Sequence, residues 1–550
     1  MKKQIKKFTL SLLATLIVLF TLSAASFLTL GIGTPGNITT YVTEPEKTTE
    51  GYFTYFVSHD LVTITGCDSI IGGDVDIPDK LGGYPVVEIR YGAFRNCTGL
   101  TSVTIPDSVT SIGNAAFEGC TNLKNITIPD SVISIGKDAF YKTSWYNLQP
   151  IGDVYAGKVY YRYKGTMPNN TYVSIVEGTK GIGVSAFEDY ENLISITIPK
   201  SIVCIGNGAF ENCTGLTKIN WNAEAVNDFD YHNYTFSNAG TESDGIDVVF
   251  GDDVKTIPKY ALSSKWGYYY ISPNIKSIEI GNNVENIGSE ALNNCPTLEK
   301  LTVSVDNPLY HSDGNCVIES ENRGLFLGCK NSVIPQDGSV TKIMYRSFSN
   351  CTDLKSVTIP FGVTIIEDYA FQDCSGLESV TIPDSVTSIG SYAFNNCSSL
   401  TSIIIPDSVL SIESGAFRDC TSLRKVRIGS GVSEFGWGTF GGCTALTNVS
   451  LSYGIASIGD SMFINCTALK EIVIPDSVTK IESQAFCNTG ITEIIIPEHV
   501  SQICSEAFRD CKNIERIEVS RDNAVYYSKD NCVIKTKEKE LVVGCKNSII

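Results

Sequence analysis

The sequence predicts a repeat solenoid, a fold in which short coils of chain stack and share a parallel β-sheet face. Two observations support this prediction. A phenylalanine recurs every 23 residues, at Phe348, Phe371, Phe394, Phe417, Phe440, Phe463 and Phe486. The pattern A-F-x-x-C-x-x-L-x-x-V-x-I-P-x-x-V-x-x-I-G surrounds these positions, and with degenerate copies it marks about fifteen coils. A fixed period of roughly 20–29 residues with a leucine-type pattern is the sequence signature of a solenoid.

Residue chemistry predicts the elements of one coil, for example the coil at residues 100–117. Val103 and Ile105 point inward and Thr104 points outward, which is the period-2 alternation of a half-buried strand. Pro106 ends the strand because it has no N–H to donate. Phe117 begins a short helical or 3₁₀ segment and fills the widest part of the core. One coil cannot bury its own apolar edges, so each coil needs a neighbour on both sides.

The repeated string resembles BspA-type leucine-rich repeats, which occur in surface proteins of bacteria and some protists. It stands almost unaltered at 116–136, 370–390, 393–412 and 416–428, and the resemblance covers roughly residues 52–550. The resemblance implies a leucine-rich-repeat-like right-handed coil with a parallel β-sheet face and irregular β-hairpin modules. It also implies an extracellular role in protein–protein interaction or adhesion, without identifying a ligand.

Several segments depart from the regular repeat. Four lysines precede an apolar stretch, Phe8–Leu22, and the small residues Ser23-Ala24-Ala25, which is typical of a signal peptide; an uncleaved anchor is the alternative. The predicted division is 1–25 signal peptide or N-terminal anchor, 26–50 flexible linker, 51–90 opening β coil or cap, 91–303 repeats with aromatic insertions at 141–186 and 219–280, 304–339 hairpin module, 340–519 regular repeats, and 520–550 second hairpin module, truncated relative to the first.

Composition and motifs argue against several classes of function. The net charge of −18 disfavours nucleic acid, since phosphate binding needs clustered Lys and Arg. The four histidines are scattered, and the glycine motifs at 31–36 and 436–441 lack the strand-to-long-helix context that dinucleotide binding requires. We therefore expect no enzyme activity, cofactor, metal or small-molecule substrate.

The nineteen cysteines are predicted to be mainly buried thiols. Eleven follow the repeat phenylalanine or its equivalent by three residues: Cys97, Cys120, Cys213, Cys295, Cys351, Cys374, Cys397, Cys420, Cys443, Cys466 and Cys511. Stacking aligns them in one inward column, where a small soft hydrophobe packs well. The pairs Cys316/Cys329 and Cys532/Cys545 lie in the predicted hairpins, where a cross-strand bridge and two free thiols both fit.

The outward strand positions are the candidate binding residues, because solenoids present extended surfaces rather than deep pockets. They are Thr104, Thr127, Thr197, Thr358, Thr381, Ile404, Arg427, Ser450, Val473 and Ile495. The apolar members Ile404, Val473 and Ile495 suggest a contact surface, although strand propensity alone also explains β-branched residues there. The tyrosines at 155–163 and 268–270 are a second candidate surface, or else they cap irregular coils.

These observations lead to one preferred function and one alternative. The preferred function is a secreted or cell-surface protein that binds an extracellular protein, as an adhesin does, or a glycan. The alternative is a passive scaffold, or the repeat arm of a larger extracellular enzyme or wall-attached protein. We also expect self-association through the C-terminal end, where Ile549 and Ile550 give the last module an apolar edge.

Overall fold

In the computed structural model, the described residues are 46–230, 232–263 and 272–545. All of these residues except Glu46 belong to one compact unit, Lys47–Ile550. This unit is a β-solenoid of about 20 turns with parallel sheets, as the repeat pattern predicts. The turn count exceeds the fifteen motif-bearing coils because the irregular modules add turns of their own. The predicted signal segment, Tyr268–Tyr270, Ile549 and Ile550 lie outside the described residues.

The solenoid opens with an antiparallel meander that passes into parallel coils. The strands here are β1 Thr48–Glu50, β2 Phe53–Ser58, β3 Leu61–Cys67, β4 Gly72–Asp76, β5 Lys80–Leu81, β6 Tyr84–Ile89, β7 Gly99–Thr104, β8 Ser111–Ile112, β9 Asn125–Thr127 and β10 Ser134–Ile135. Strands β1, β2 and β3 pair antiparallel, and β3, β6, β8 and β10 then pair parallel. The ring of Phe53 packs edge-on against that of Phe94 at 6.2 Å, so the meander covers the first coil.

The middle of the solenoid contains the aromatic insertions and the only α-helix of the described residues. Its elements are α1 Ser144–Leu148, β11 Gly152–Ala156, β12 Val159–Lys164, β13 Thr171–Ser174, β14 Gly181–Ile182, β15 Leu193–Ile198, β16 Cys204–Ile205, β17 Lys218–Trp221, β18 Ile246–Phe250, β19 Thr256–Ile257, β20 Ile275–Ile280, β21 Asn286–Ile287 and β22 Lys300–Val303. Thr143, which replaces the column cysteine, caps α1 by accepting the Tyr146 amide at 3.0 Å.

The C-terminal half holds two three-stranded antiparallel modules around the regular repeats. Its strands are β23 Tyr310–Asp313, β24 Cys316–Glu319, β25 Gly324–Leu327, β26 Lys342–Ile343, β27 Ser356–Thr358, β28 Ile365–Ile366, β29 Ser379–Thr381, β30 Ser388–Ile389, β31 Ser402–Ile405, β32 Ser411–Ile412, β33 Lys425–Ile428, β34 Glu434–Phe435, β35 Asn448–Leu451, β36 Ser457–Ile458, β37 Lys480–Ile481, β38 Glu493–Ile496, β39 Gln502–Ile503, β40 Arg516–Val519, β41 Tyr526–Lys529, β42 Cys532–Lys535 and β43 Leu541–Val543. Strand β25 continues parallel into β26, which joins the first module to the repeats.

Most regular coils contribute a longer strand to one sheet face and a two-residue strand to another. On the longer-strand face, Ser402 pairs with Lys425, 23 residues later. On the short-strand face, Ser388 pairs with Ser411 at the same interval. Because the pairing interval equals the sequence period, each coil position lies directly beside its equivalent in the next coil.

The segment around each repeat phenylalanine is a turn, so the predicted helical or 3₁₀ segment is wrong there. Its amides alternate between two kinds of partner. The amide of Phe117 donates to the Ala139 carbonyl of the next coil at 2.8 Å, whereas the amide of Ala116 donates within its own coil, to Gly113 at 3.3 Å. Ala115 adopts the left-handed conformation, with φ of 52°. A regular helix cannot form because every second amide bonds to the neighbouring coil.

The repeat phenylalanines form the centre of the core. Phe394 is fully buried and stacks between Phe371 and Phe417, with centroid distances of 5.0 and 5.1 Å. The ring planes differ by only 4° and 3°. Direct stacking at about 5 Å follows from the spacing of neighbouring strands, which is about 4.8 Å.

Three hydrophobic clusters make up the core of the described residues. They span 53–161, 160–329 and 316–533. The aromatic insertion forms the first boundary and the first hairpin module the second. Within β24, the side chain of Val317 belongs to the second cluster and that of Ile318 to the third. The module therefore separates two cores and contributes residues to both.

The inward position of the cysteine column is confirmed: ten of its eleven members are buried and Cys511 is half-buried, and the structure has them as thiols. Eight of its members donate to the carbonyl oxygen of a repeat phenylalanine of the preceding coil, at 2.9–3.3 Å: Cys120, Cys213, Cys374, Cys397, Cys420, Cys443, Cys466 and Cys511. Burial disfavours the thiolate and raises the pKa of Cys420 and of Cys466 to about 12.

In the first hairpin, Cys316 and Cys329 are also free thiols. Cys316 belongs to the third hydrophobic cluster and Cys329 to the second. Strand pairing places Val317 opposite Leu327, so Cys329 lies beyond the paired residues of β25. Of the two alternatives for the first hairpin, the structure has the free thiols.

Candidate binding face of the solenoid

The ten outward residues predicted from the sequence lie on the surface of the longer-strand face. Nine of them are exposed, and Thr197 is half-buried. Their inward neighbours are buried, as with Ile403 and Ile405 on either side of Ile404. The alternation of a strand that is buried on one face places them there. The exposure agrees with the predicted orientation, and a binding role stays a prediction.

The structure divides these ten residues among several sheets. Ile404, Arg427 and Ser450 lie side by side on β31, β33 and β35. Two further pairs lie in two other sheets, where Thr104 pairs with Thr127 and Thr358 pairs with Thr381. Thr197 lies opposite Asn220, Ile495 lies opposite Glu518, and Val473 is outside the assigned strands. Seven of the ten, from Thr358 to Ile495, nevertheless come from successive coils, and the strands that carry Thr381 and Ile404 contact each other. These seven therefore form one column along the face.

The three apolar members are strongly exposed. Their exposed fractions are 59% for Ile404, 82% for Val473 and 53% for Ile495. The coils of Arg427 and Ser450 separate Ile404 from Val473, so the three do not form one continuous apolar patch. Only Val473 and Ile495 come from consecutive coils.

A basic group adjoins Ile404. Arg424, Lys425 and Arg427 are all exposed, and Lys425 lies beside Ser402 and Asn448 on the same sheet. In the described part of the chain, no carboxylate forms an ion pair with any of these three side chains. Since the chain has a net charge of −18, this group is a local reversal of sign on the sheet face.

Farther along the same face, a basic side chain is neutralised by its neighbours. Arg516 forms ion pairs with Glu493 on the preceding strand and with Glu518, two residues away. Both carboxylates raise the pKa of Arg516, so its cation is held in place. Arg516 is therefore paired with carboxylates, whereas Arg427 has no described carboxylate partner.

A polar concavity of about 450 Å³ adjoins Thr197. It is lined by Ser174, Ile175, Val176, Glu177, Thr197, Pro199, Lys200, Asn222 and Asp253. Lys200 Nζ donates to the Asp253 carboxylate at 2.8 Å, and this bond raises the pKa of Lys200. Within the concavity, the charges of Lys200 and Asp253 therefore neutralise each other.

Two exposed aromatic residues of this face were not predicted from the sequence. Phe361 and Tyr453 are 75% and 77% exposed and follow the strand of their coil, where other coils carry Asp384 or Asp407. Aromatic rings at a corner that is otherwise acidic add apolar surface beside the longer-strand face. The sequence does mark these two positions, because Phe361 and Tyr453 replace the Asp that recurs there in other coils.

A second aromatic group lies near the turns of the repeat phenylalanines. Tyr369 and Tyr392 stack at 5.4 Å, and the guanidinium of Arg346 lies over the ring of Tyr369 at 4.8 Å. Farther along, Arg418 lies over the ring of Trp437 at 4.6 Å. Cation–π contacts hold these side chains against one another.

Three of the four tyrosines of the first insertion are core residues and Tyr155 is half-buried, so an exposed interface formed by these tyrosines is wrong. Tyr160 and Tyr161 are fully buried, and Tyr163 is buried. The Tyr160 hydroxyl donates to the Asp153 carboxylate at 2.7 Å, and burial raises the pKa of Tyr160 well above its usual value. Tyr160 stacks on Phe187, and Tyr161 packs edge-on against Phe140, so these rings fill the irregular coil.

Within residues 46–230, 232–263 and 272–545, no group of three or more His, Cys, Asp or Glu side chains is arranged to hold a metal ion. The helix of this part of the chain is too short and too polar to cross a bilayer.

The family model for the BspA type Leucine rich repeat region matches residues 87–152, 160–299, 320–447 and 436–550, with six copies. These ranges cover well over half of the sequence. The chain belongs to the BspA-type leucine-rich repeat family. Its coils, with one longer strand, one short strand and a buried Phe–Cys turn, are therefore the structural form of BspA-type repeats in this chain.

Solved structures of leucine-rich repeat proteins are similar to this BspA-type chain. A leucine-rich cell surface protein from Faecalibacterium prausnitzii is 26% identical, with 74% of this chain and 96% of that chain covered and a TM-score of 0.41. A leucine-rich repeat protein from Eubacterium ventriosum is 23% identical, with 81% and 95% covered and a TM-score of 0.44. The pneumococcal vaccine antigen PcpA is 18% identical, with 87% and 100% covered and a TM-score of 0.35. A comparison with curated proteins gives no match.

Proposed function

We propose that the chain is a secreted or cell-surface protein that binds an extracellular protein through its longer-strand face, centred on Ile404 and Arg427. The observation that carries the proposal is the exposed Ile404 beside Arg427, whose guanidinium has no carboxylate partner among the described residues. Membership of the BspA-type family, together with the basic and apolar segment at residues 2–22, supports the location.

The chemistry of this face favours a protein ligand. Covering the exposed part of an isoleucine removes apolar surface from water, and each Å² contributes about 25 cal/mol. An arginine that has no carboxylate of its own can form a bidentate bond with a carboxylate of a partner. Three paired strands hold these side chains at about 4.8 Å spacing, so little ordering is needed when a partner binds. Catalysis is not part of the proposal.

The test uses the full 550-residue protein, immobilised and exposed to solubilised surface proteins of the cells among which the source organism lives. A ligand captured by the wild type is then titrated against Ile404→Asp and Arg427→Glu. Each change should raise Kd at least tenfold, equivalent to about 1.4 kcal/mol. Added salt should weaken wild-type binding and have less effect on Arg427→Glu.

Thr127→Asp is the matched control, because Thr127 has the same outward position on a distant sheet. Its Kd should equal that of the wild type. Equal loss of affinity in all three variants would contradict the proposed location of the site. If none of the three substitutions changes binding, the proposed face is contradicted. If the captured ligand is a glycan, the proposed ligand class is contradicted. A protein that retains no ligand favours the passive scaffold.

A further inference from the structure

Two cysteines meet where the opening meander contacts the first repeat coil. Cys67 is the last residue of β3, and Cys97 follows Phe94 by three residues. Their sulfur atoms are 2.7 Å apart. A disulfide bond is about 2.05 Å long, so the two side chains already point at each other within bonding reach.

Cys97 differs from the other column cysteines in its partner. Cys120 donates to the carbonyl oxygen of Phe94 at 2.9 Å, and later members such as Cys374 bond in the same way. Phe94 belongs to the first coil of the repeat series, so Cys97 has no repeat phenylalanine in a preceding coil. The sulfur of Cys67 takes the place of that carbonyl oxygen.

The acidity of Cys97 also differs from that of the column. Donation from the Cys67 thiol stabilises the Cys97 thiolate and lowers the pKa of Cys97, whereas burial raises the pKa of Cys120. The thiolate is the nucleophile in disulfide exchange. Cys67 is half-buried, whereas Cys97 is buried, as are Cys120 and the column thiols from Cys213 to Cys466, so an external disulfide reaches the pair from the side of Cys67.

We propose that Cys67 and Cys97 form a disulfide bond in the oxidising surroundings of an exported protein, and that it fastens the opening meander to the first repeat coil. One cysteine of the pair, as its thiolate, attacks an external disulfide, RS–SR, and releases one RSH. The thiolate of the other cysteine then attacks the mixed disulfide and releases the second RSH. The two cysteines lose two protons and two electrons, and the external disulfide is reduced to two thiols.

The bond closes a loop across a sequence separation of 30 residues. Such a link reduces the freedom of the unfolded chain and holds an end that has neighbours on one side only. The column cysteines that are turned toward a carbonyl oxygen keep their thiols. The proposal concerns this one link and does not depend on which ligand the longer-strand face binds.

The test incubates the full chain with glutathione disulfide, denatures it and alkylates it without reductant. Trypsin places Cys67 in peptide 48–80 and Cys97 in peptide 96–124, which also contains Cys120. We expect these two peptides to be joined, with Cys120 alkylated, in most molecules. Reduction before alkylation should separate them. Peptide 356–418, with Cys374 and Cys397, is the internal control and should be fully alkylated.

Two variants distinguish the link from general oxidation. In Cys67→Ser the joined pair should disappear, and Cys97 should carry glutathione or the alkyl group. In Cys374→Ser the joined pair should persist at the wild-type level. Alkylation of both Cys67 and Cys97 in the oxidised wild type would overturn the proposal, as would a link from Cys97 to Cys120 instead.

Discussion

The thiol of Cys397 donates a hydrogen bond to the carbonyl oxygen of Phe371, 26 residues earlier, at 3.2 Å. The same oxygen also accepts the amide of Cys374, at 3.3 Å. The cysteine of one coil is therefore tied to the phenylalanine of the coil before it. This link explains why a cysteine recurs at a fixed distance from the phenylalanine, and why the column holds thiols.

Replacing Cys397 by alanine should destabilise the protein by about 1–2 kcal/mol, since the change removes a buried sulfur and its hydrogen bond and leaves a small cavity. Urea unfolding followed by circular dichroism measures the effect. Thr401→Ala is the control, because Thr401 is exposed, and its midpoint should match the wild type. Equal midpoints for Cys397→Ala and the wild type would contradict a structural role for the thiol.

The buried thiols should make the protein less stable at alkaline pH. The pKa of Cys420 and of Cys466 is about 12 in the folded protein, and an unfolded cysteine ionises near pH ~8.5. Between these values the unfolded state binds fewer protons than the folded state. The contribution of these thiols to the free energy of unfolding is therefore fully present below pH ~8.5 and is lost as the pH rises toward 12.

The measurement compares urea midpoints from pH 8 to 11 for the wild type and for Cys420→Ala/Cys466→Ala. The double variant should lose less stability over that range, since tyrosines and lysines titrate in both proteins. Parallel pH profiles would show that these thiols ionise as easily in the folded state as in the unfolded state.

Phe394→Ala should be severely destabilising, by about 3–5 kcal/mol, because it removes a fully buried ring from the stack. Thr381→Ala should be nearly silent, since Thr381 is exposed on the longer-strand face. Thermal unfolding of the two variants measures the contrast. Similar shifts of Tm would contradict the inward and outward assignment of the coil.

Asn396 tests the left-handed position that precedes each column cysteine. Its φ is 57°, and its side-chain amide donates to the Asp373 carboxylate at 2.9 Å. Asn396→Ala should cost about 1 kcal/mol, because alanine adopts this conformation poorly. Asn396→Gly should cost less, since glycine adopts it freely and loses only an exposed hydrogen bond. A glycine variant that is no more stable than the alanine variant would contradict the left-handed conformation as the source of the cost.

The sequence predicted the parts of the fold that repeat. Phe394 and Ile404 could be placed inside and outside the coil because alternation and a 23-residue period constrain every copy in the same way. The turn around Phe117 was missed, since a short apolar segment with alanine is also typical of a helix. Only the pairing with the next coil, such as the Phe117–Ala139 bond, decides against a helix.

The candidate face was less predictable than the coil. Exposure of Ile404 follows from its strand position, but the grouping of Ile404 with Arg427 and Ser450 in one sheet depends on which strands pair. That no described carboxylate pairs with Arg427 depends on side-chain positions in neighbouring coils, which are far apart in sequence. The burial of Tyr160 and Tyr161 could not be predicted, because the insertion interrupts the 23-residue repeat from which inward and outward side chains are assigned.

The first hairpin module has a mechanical consequence. Val317 packs into one core and Ile318 into the next, so the module belongs to both without merging them. In a stacked array each turn contacts only its neighbours, and rupture spreads from turn to turn until it meets a boundary. We therefore expect the chain, if it is pulled from its two ends, to lengthen in discrete steps, one core at a time, because unfolding of one core leaves the adjoining core intact.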